Sequence, residues 1–244
     1  MGRKRRRGVD IGDGIVALVI LLIIAWALSP AFRVAIDTAR AQIPIPGTRP
    51  HARSLPDSEE SHQLETLPIR TARDEDQIPR YDRQAFGQTW ADEDHNGCDT
   101  RNDVLARDLA RPTFKEGTHG CVVLSGTLAE PYTGTIIEFQ RGQNTSGLVQ
   151  IDHVVALADA WKSGAWAWDT ATRQRFANDQ SNLLAVNGQA NQDKEAASAD
   201  AWLPENTGFY CEYVKRQISV KTQWGLSITE AERDAMIKVL VSCE

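Results

Sequence analysis

The order of apolar and polar positions divides the chain into three parts. An apolar run stands near the N-terminus, and a Pro-rich stretch without hydrophobic periodicity follows it. The remainder combines the apolar periods of helices with those of strands. We therefore expect an apolar helix within residues 1–33, a disordered linker at 34–80, and one α+β domain at 81–244.

Short apolar runs predict the strands of this domain, and amphipathic runs predict its helices. The run 150–157 (QIDHVVAL) is rich in β-branched residues and indicates a buried strand. A second strand is predicted at 183–186, followed by a helix that opens at Asn191. Further strands are expected at 121–128 and 135–139, and helices at 82–90, at 101–109, from 158, at 209–223 and after Thr229.

The predicted strand 150–157 carries a polar pair that burial alone does not explain. Asp152 stands next to His153, and burying a carboxylate is costly unless it is paired or bound to a metal. A carboxylate can hold Mg²⁺ or Mn²⁺, and an imidazole can take a proton from water near neutral pH. Asn191 is the candidate for a second oxygen ligand. These residue types point to metal-assisted hydrolysis, whereas a packed core histidine is the alternative.

The order Asp152-His153, Asn182, Asn191-x-x-Lys194 resembles the motif of the HNH, or His-Me finger, endonucleases. It is most similar to the C-terminal domain of GmrSD-type restriction enzymes, although Asn191 stands where compact HNH motifs have histidine. The resemblance implies a ββα-metal core with a small antiparallel sheet and surrounding helices. It implies His153 as general base, with Asp152 and Asn191 as metal ligands. It also implies that Asn182 braces the loop between the strands and that Lys194 lies near substrate phosphate.

The N-terminal run indicates export. Five basic residues at positions 3–7 precede the apolar run 14–28, as in a signal peptide or a signal anchor. We favour an uncleaved anchor that leaves the domain outside the cell membrane, with residues 34–80 as the tether. Cleavage at 25–27 or at 39–41, followed by secretion, is the alternative.

The cysteines also fit an exported domain. The chain has four of them, and an even number outside the cytosol predicts two disulfides. Of the possible pairings we favour Cys98–Cys121 and Cys211–Cys243, because each joins neighbouring predicted elements. A zinc site is the alternative, but the sequence contains no Cys-x-x-Cys pair.

A second cation is suggested by an acidic loop. Asp92, Asp94, Asn96 and Gly97, with Asp103 at the last position, follow the spacing of an EF-hand calcium loop. The usual last residue of such a loop is glutamate rather than aspartate. Calcium is therefore a further candidate cofactor, and a tight turn with capping carboxylates is the alternative.

The charge balance argues against tight, non-specific binding of nucleic acid. The formal net charge is −6, although affinity for nucleic acid comes largely from neutralised phosphates. Arg101 and Lys194, with a bound divalent cation, can still support a local contact. Two functions remain: a metal-dependent endonuclease with DNA favoured over RNA, or a non-catalytic, disulfide-stapled extracellular module that binds calcium. No protein partner can be inferred.

Overall fold

The computed structural model describes residues 55–243, which form an α+β fold. Its strands are β1 (Ala110–Phe114), β2 (Val123–Ala129), β3 (Ile136–Gln140), β4 (Val149–His153) and β5 (Leu183–Asn187). Its α-helices are α1 (Glu59–Thr66), α2 (Ala72–Glu75), α3 (Thr100–Asp108), α4 (Leu157–Lys162), α5 (Thr170–Ala177), α6 (Gly188–Lys194), α7 (Tyr210–Gln223) and α8 (Glu230–Leu240).

The predicted N-terminal apolar helix, whether anchor or signal peptide, lies outside the described residues, as do linker residues 34–54. Between residues 55 and 243, no helix has the length and apolar character needed to cross a membrane.

The strands form two antiparallel sheets. One sheet has the order β1-β2-β3, and the other is the pair β4-β5. In the pair, Asp152 lies opposite Leu184 and His153 lies opposite Leu183. Helix α6 follows β5 directly and packs against both strands. The chain therefore builds a strand–strand–helix unit around the Asp152-His153 pair.

Strands β4 and β5 lie between separate apolar clusters. Because side chains alternate along a strand, successive residues face different clusters. Leu184 and Val186 belong to a cluster that includes residues of α7 and α8, whereas Leu183 and Ala185 belong to one formed with α3 and the three-stranded sheet. Both faces of the pair are thereby covered, which explains why the whole strand reads as apolar.

Strand β4 is shorter than the apolar run 150–157 predicts. It ends at His153, because the next two backbone N–H groups bond to a single residue. Val154 N–H donates to the Asn182 carbonyl oxygen at 2.8 Å, and Val155 N–H donates to the Asn182 side-chain oxygen at 2.8 Å. The chain then turns into α4, so His153 stands at the end of the strand.

The structure differs from the predicted disordered linker over residues 55–80. Helix α1 begins behind Ser58, whose side chain accepts a hydrogen bond from Ser61 N–H. Leu64 and Leu67, one helical turn apart, are buried in the cluster that includes α7 and α8. The predicted domain start at Tyr81 is therefore too late: the apolar positions of this segment are few, but they lie on one face.

The hydrophobic pattern also led to wrong or missing predictions for other secondary-structure elements. The helix predicted at 82–90 is a single 3-10 turn at Arg83–Phe86, and the predictions did not include β1 or α5. Phe86, the last residue of this turn, is buried.

Both predicted disulfides are present. Cys98 pairs with Cys121, and Cys211 pairs with Cys243. The first joins the acidic loop to the segment before β2, and the second joins α7 to the residues after α8. A native disulfide typically stabilises a small domain by about 2–4 kcal/mol.

Candidate active site

A cleft opens where β4 ends. It has a volume of about 220 Å³ and contains the predicted base His153 together with the two predicted metal ligands, Asp152 and Asn191. Its full lining is Arg83, Ile151, Asp152, His153, Ala156, Leu157, Asn191, Gln192 and Glu195. The structure thus brings three of the sequence-predicted site residues to one place.

The start of α6 determines where Asn191 lies. The Asn187 side-chain oxygen caps the helix by accepting hydrogen bonds from Gln189 N–H at 2.8 Å and Ala190 N–H at 3.0 Å. A Cβ atom at Gly188 would clash with the Gly147 carbonyl oxygen, so only glycine fits there. The helix therefore begins three residues earlier than predicted, and Asn191 lies inside it.

His153 is buried and held by one hydrogen bond. Its Nε2 lies 2.8 Å from the Ala177 carbonyl oxygen. A carbonyl oxygen can only accept, so Nε2 carries the proton and the neutral ring keeps its lone pair on Nδ1. The Trp90 ring stacks nearly parallel to the imidazole, with 6.2 Å between the ring centroids.

Burial also sets the protonation of His153. Removal from water lowers its pKa to about 4, and the positive charges of Arg83 and Lys194 act in the same direction. The hydrogen bond to Ala177 opposes this shift but does not cancel it. At neutral pH the imidazole is therefore uncharged and able to accept a proton at Nδ1.

Asn182 makes the contacts expected of a residue that braces the loop. It is fully buried, and its side chain meets the backbone of Val155 twice. The Oδ1 atom accepts from Val155 N–H at 2.8 Å, and Nδ2 donates to the Val155 carbonyl at 3.1 Å. Its contribution to any reaction rate stays a prediction.

Asp152 is buried within a set of polar partners. Its carboxylate accepts a hydrogen bond of 2.5 Å from the Tyr132 hydroxyl and one of 3.1 Å from Lys194 Nζ. Burial nevertheless raises the pKa of Asp152, because desolvation outweighs the opposing effects of Lys194 and Tyr132. The sequence did not indicate Tyr132, since it stands in a Pro-Tyr-Thr-Gly stretch that predicts only a turn.

Lys194 does not occupy the predicted place near substrate. Its side chain is fully buried, and Nζ donates to Asp152 and, at 2.9 Å, to the His153 carbonyl oxygen. The reason is the direct packing of α6 on β4, which aims the last residue of the helix at the strand. Substrate binding by Lys194 stays a prediction.

Arg101, the other predicted substrate-binding residue, lies at the start of β4. Its guanidinium donates to the Val149 carbonyl oxygen at 3.2 Å, and the residue does not line the cleft. Burial lowers its pKa, with the charge of Arg141 acting in the same direction. Arg101 supports the start of β4, and substrate binding by this residue stays a prediction.

The donor types around the cleft suit a hard divalent cation, but one donor is already paired. Asp152 and Asn191 provide a carboxylate and an amide oxygen, as Mg²⁺ and Mn²⁺ prefer. Asn191 Nδ2 donates to Gln150 Oε1 at 2.8 Å, which leaves its Oδ1 for a cation. The ammonium of Lys194 lies against the Asp152 carboxylate, so a cation has to displace that contact.

The acidic loop closes on itself through one amide. Asn96 Nδ2 donates to Asp94 at 3.1 Å and to Asp103 at 3.2 Å, and Asn96 N–H donates to Asp92 at 3.1 Å. Burial raises the pKa of Asp103. In the part of the chain that the structure describes, no group of three or more His, Cys, Asp or Glu side chains could hold a metal. Calcium binding here stays a prediction.

The strand–strand–helix unit therefore places a buried histidine in the lining of a polar cleft. The family of GmrSD restriction endonucleases, C-terminal domain, matches residues 99–239. The chain therefore belongs to this family, which confirms the predicted resemblance to the GmrSD C-terminal domain.

An uncharacterized secreted protein of Arthroderma benhamiae is 39% identical over 148 residues, which cover 60% of this chain and 68% of that protein. No solved structure matches the chain.

Proposed function

We propose that the protein is an exported, metal-dependent endonuclease of the HNH type that hydrolyses phosphodiester bonds in nucleic acid, with DNA favoured over RNA. The observation that carries this proposal is the state of His153: Nε2 is fixed by the Ala177 carbonyl, while Nδ1 keeps its lone pair in a ring that lines the cleft. Membership of a restriction-endonuclease domain family supports a nuclease-related function.

In the proposed reaction His153 acts as general base. The Nδ1 atom takes a proton from the attacking water, and Ala177 stabilises the resulting imidazolium by accepting from Nε2–H. Asn182 keeps the backbone after His153 in place, so the ring stays at the cleft. General-base catalysis of this kind typically contributes about 10²–10⁴-fold to the rate.

Asp152 and Asn191 are the residues that would hold Mg²⁺ or Mn²⁺. Such a cation supplies Lewis-acid stabilisation of the charge that develops on the phosphate. To bind it, Asp152 has to release Lys194 while Tyr132 continues to donate to the carboxylate. Tyr132 then serves as the residue that orients Asp152.

Export is supported by the two disulfides and by the relative described as secreted. Disulfides persist in oxidising compartments and are rare in the cytosol. We infer that the folded part acts outside the cytosol, either released or held by the N-terminal segment.

A nicking assay tests the proposed function. Supercoiled plasmid and a matched RNA are incubated with the full chain in Mg²⁺, in Mn²⁺ and in EDTA. We expect cleavage with either metal, none in EDTA, and a higher rate on DNA. Absence of cleavage of both nucleic acids under all metal conditions would contradict the proposal.

A further inference from the structure

The cleft requires a basic side chain to bind phosphate, and the residues predicted for this role lie elsewhere. A phosphodiester is negatively charged, and the lining includes the acidic residues Asp152 and Glu195. The two basic residues predicted to meet phosphate are unsuitable, because Lys194 is buried against Asp152 and Arg101 lies outside the lining. A basic side chain of the lining would add to the charge of the proposed divalent cation when phosphate enters.

Arg83 is the basic residue of this lining. It borders the cleft of about 220 Å³, and it also borders a smaller cavity that contains Trp90 and His153. Arg83 is exposed and, within residues 55–243, it forms no ion pair. Its hydrogen-bond partner is the uncharged Tyr81 hydroxyl. A guanidinium that no carboxylate neutralises therefore lies near the proposed base.

The backbone under Arg83 is well anchored. The Asp82 carboxylate caps its 3-10 turn by accepting from Gln84 N–H at 2.9 Å. At the other end of the turn, Phe86 is buried, with its ring centroid 6.1 Å from that of Trp161 and 6.3 Å from that of Phe176. An anchored backbone suits recognition of a bound group, because less backbone flexibility is lost on binding.

We propose that Arg83 binds the phosphate that is cleaved, through its forked N–H donors, and so holds it beside His153. A guanidinium can donate two parallel hydrogen bonds to phosphate oxygens, which an ammonium cannot. This assignment rests on the proposed nuclease function. Because the protein carries a net charge of −6, one well-placed arginine contributes strongly to the affinity of the site.

Binding can be separated from cleavage in a His153→Ala background. Anisotropy of a fluorescent DNA duplex is measured at several salt concentrations with Mg²⁺ for this protein and for the same protein with Arg83→Ala, Arg83→Lys or Arg80→Ala. Arg80 is exposed in the preceding segment and does not line the cleft. We expect Arg83→Ala to weaken binding about tenfold and to reduce the salt slope by about one.

The remaining variants complete the test. We expect Arg83→Lys to keep the salt slope but not the full affinity, and Arg80→Ala to bind like the parent, with equal melting temperatures throughout. Unchanged affinity and salt slope for Arg83→Ala would overturn the assignment. If binding is unchanged in this way while the protein with His153 and Arg83 intact cleaves DNA, only the assignment of Arg83 is wrong. If it does not cleave, the proposed function fails and this assignment fails with it.

Discussion

At His153, burial and one hydrogen bond set two different properties of the imidazole. Burial determines how easily the ring takes a proton, and the Ala177 carbonyl determines which nitrogen is free to take it. A general base needs both, since the accepting atom must be unprotonated and correctly aimed. The residue therefore has measurable consequences for stability as well as for activity.

The first prediction concerns acid stability in EDTA. The pKa of His153 falls from 6.5 to about 4 on folding, so the unfolded chain binds more protons between these values. The free energy of unfolding should therefore fall as the pH drops through this window, by about 3 kcal/mol in full. Urea unfolding at pH 7 and pH 4.5 should show a smaller loss for His153→Gln. An equal loss in both proteins would contradict the account.

The second prediction concerns Lys194. Replacing it with Met leaves the Asp152 carboxylate buried without its ammonium, which should cost about 3–5 kcal/mol in EDTA. The same change removes the competitor for a cation, so Mn²⁺ should raise the melting temperature of Lys194→Met more than that of wild type.

The control for this comparison is Lys162→Met, which alters an exposed lysine on α4. It should respond to Mn²⁺ like wild type. Equal stabilisation of all three proteins by Mn²⁺ would show that Lys194 does not compete with the metal.

At the scale of elements, the strand–strand–helix unit shows where sequence reasoning works. The apolar runs located β4 and β5 because burial on both faces leaves a continuous local signal. The end of β4 was missed because Asn182, distant in sequence, takes over its hydrogen bonds. The contact of Lys194 with Asp152 was missed for a related reason. The sequence of a helix does not show which strand its charged side chains will pack against.

The third prediction concerns the brace between these elements. Asn182→Ala leaves the backbone N–H and carbonyl of Val155 buried without their side-chain partners. We expect the free energy of unfolding to fall by about 2–4 kcal/mol, and the nicking rate to fall with it. Asn144→Ala, at an exposed loop position, should change neither quantity in the same denaturation and nicking assays. Wild-type stability of Asn182→Ala would exclude the brace.

At the scale of the whole molecule, residues 55–80 belong to the fold. Prolines and charges in this segment suggested a linker, since composition reports the average of a stretch and not the face on which its few apolar residues lie. The disulfide pairings, in contrast, followed from compartment and neighbouring elements. The family was recognisable from the order of Asp152-His153, Asn182 and Asn191-x-x-Lys194 along the chain, and the family match over residues 99–239 agrees with it.

The fourth prediction tests this extension of the fold. Leu64 on α1 is buried in the cluster formed with α7 and α8, so Leu64→Ala should lower the free energy of unfolding by about 2–5 kcal/mol. Leu148→Ala, at a leucine that is 56% exposed, should cost little in the same urea titration. Equal, small effects would mean that residues 55–80 do not contribute to stability.

The most direct test of the central claim is the nicking rate of His153→Ala. Plasmid nicking in Mn²⁺ is compared for wild type, His153→Ala and His119→Ala, whose histidine is exposed and outside the cleft. Loss of the general base should lower the rate by about 10²–10⁴-fold. We expect His119→Ala to match wild type and Mn²⁺ binding to persist in His153→Ala. A His153→Ala protein that nicks DNA at the wild-type rate would contradict the account.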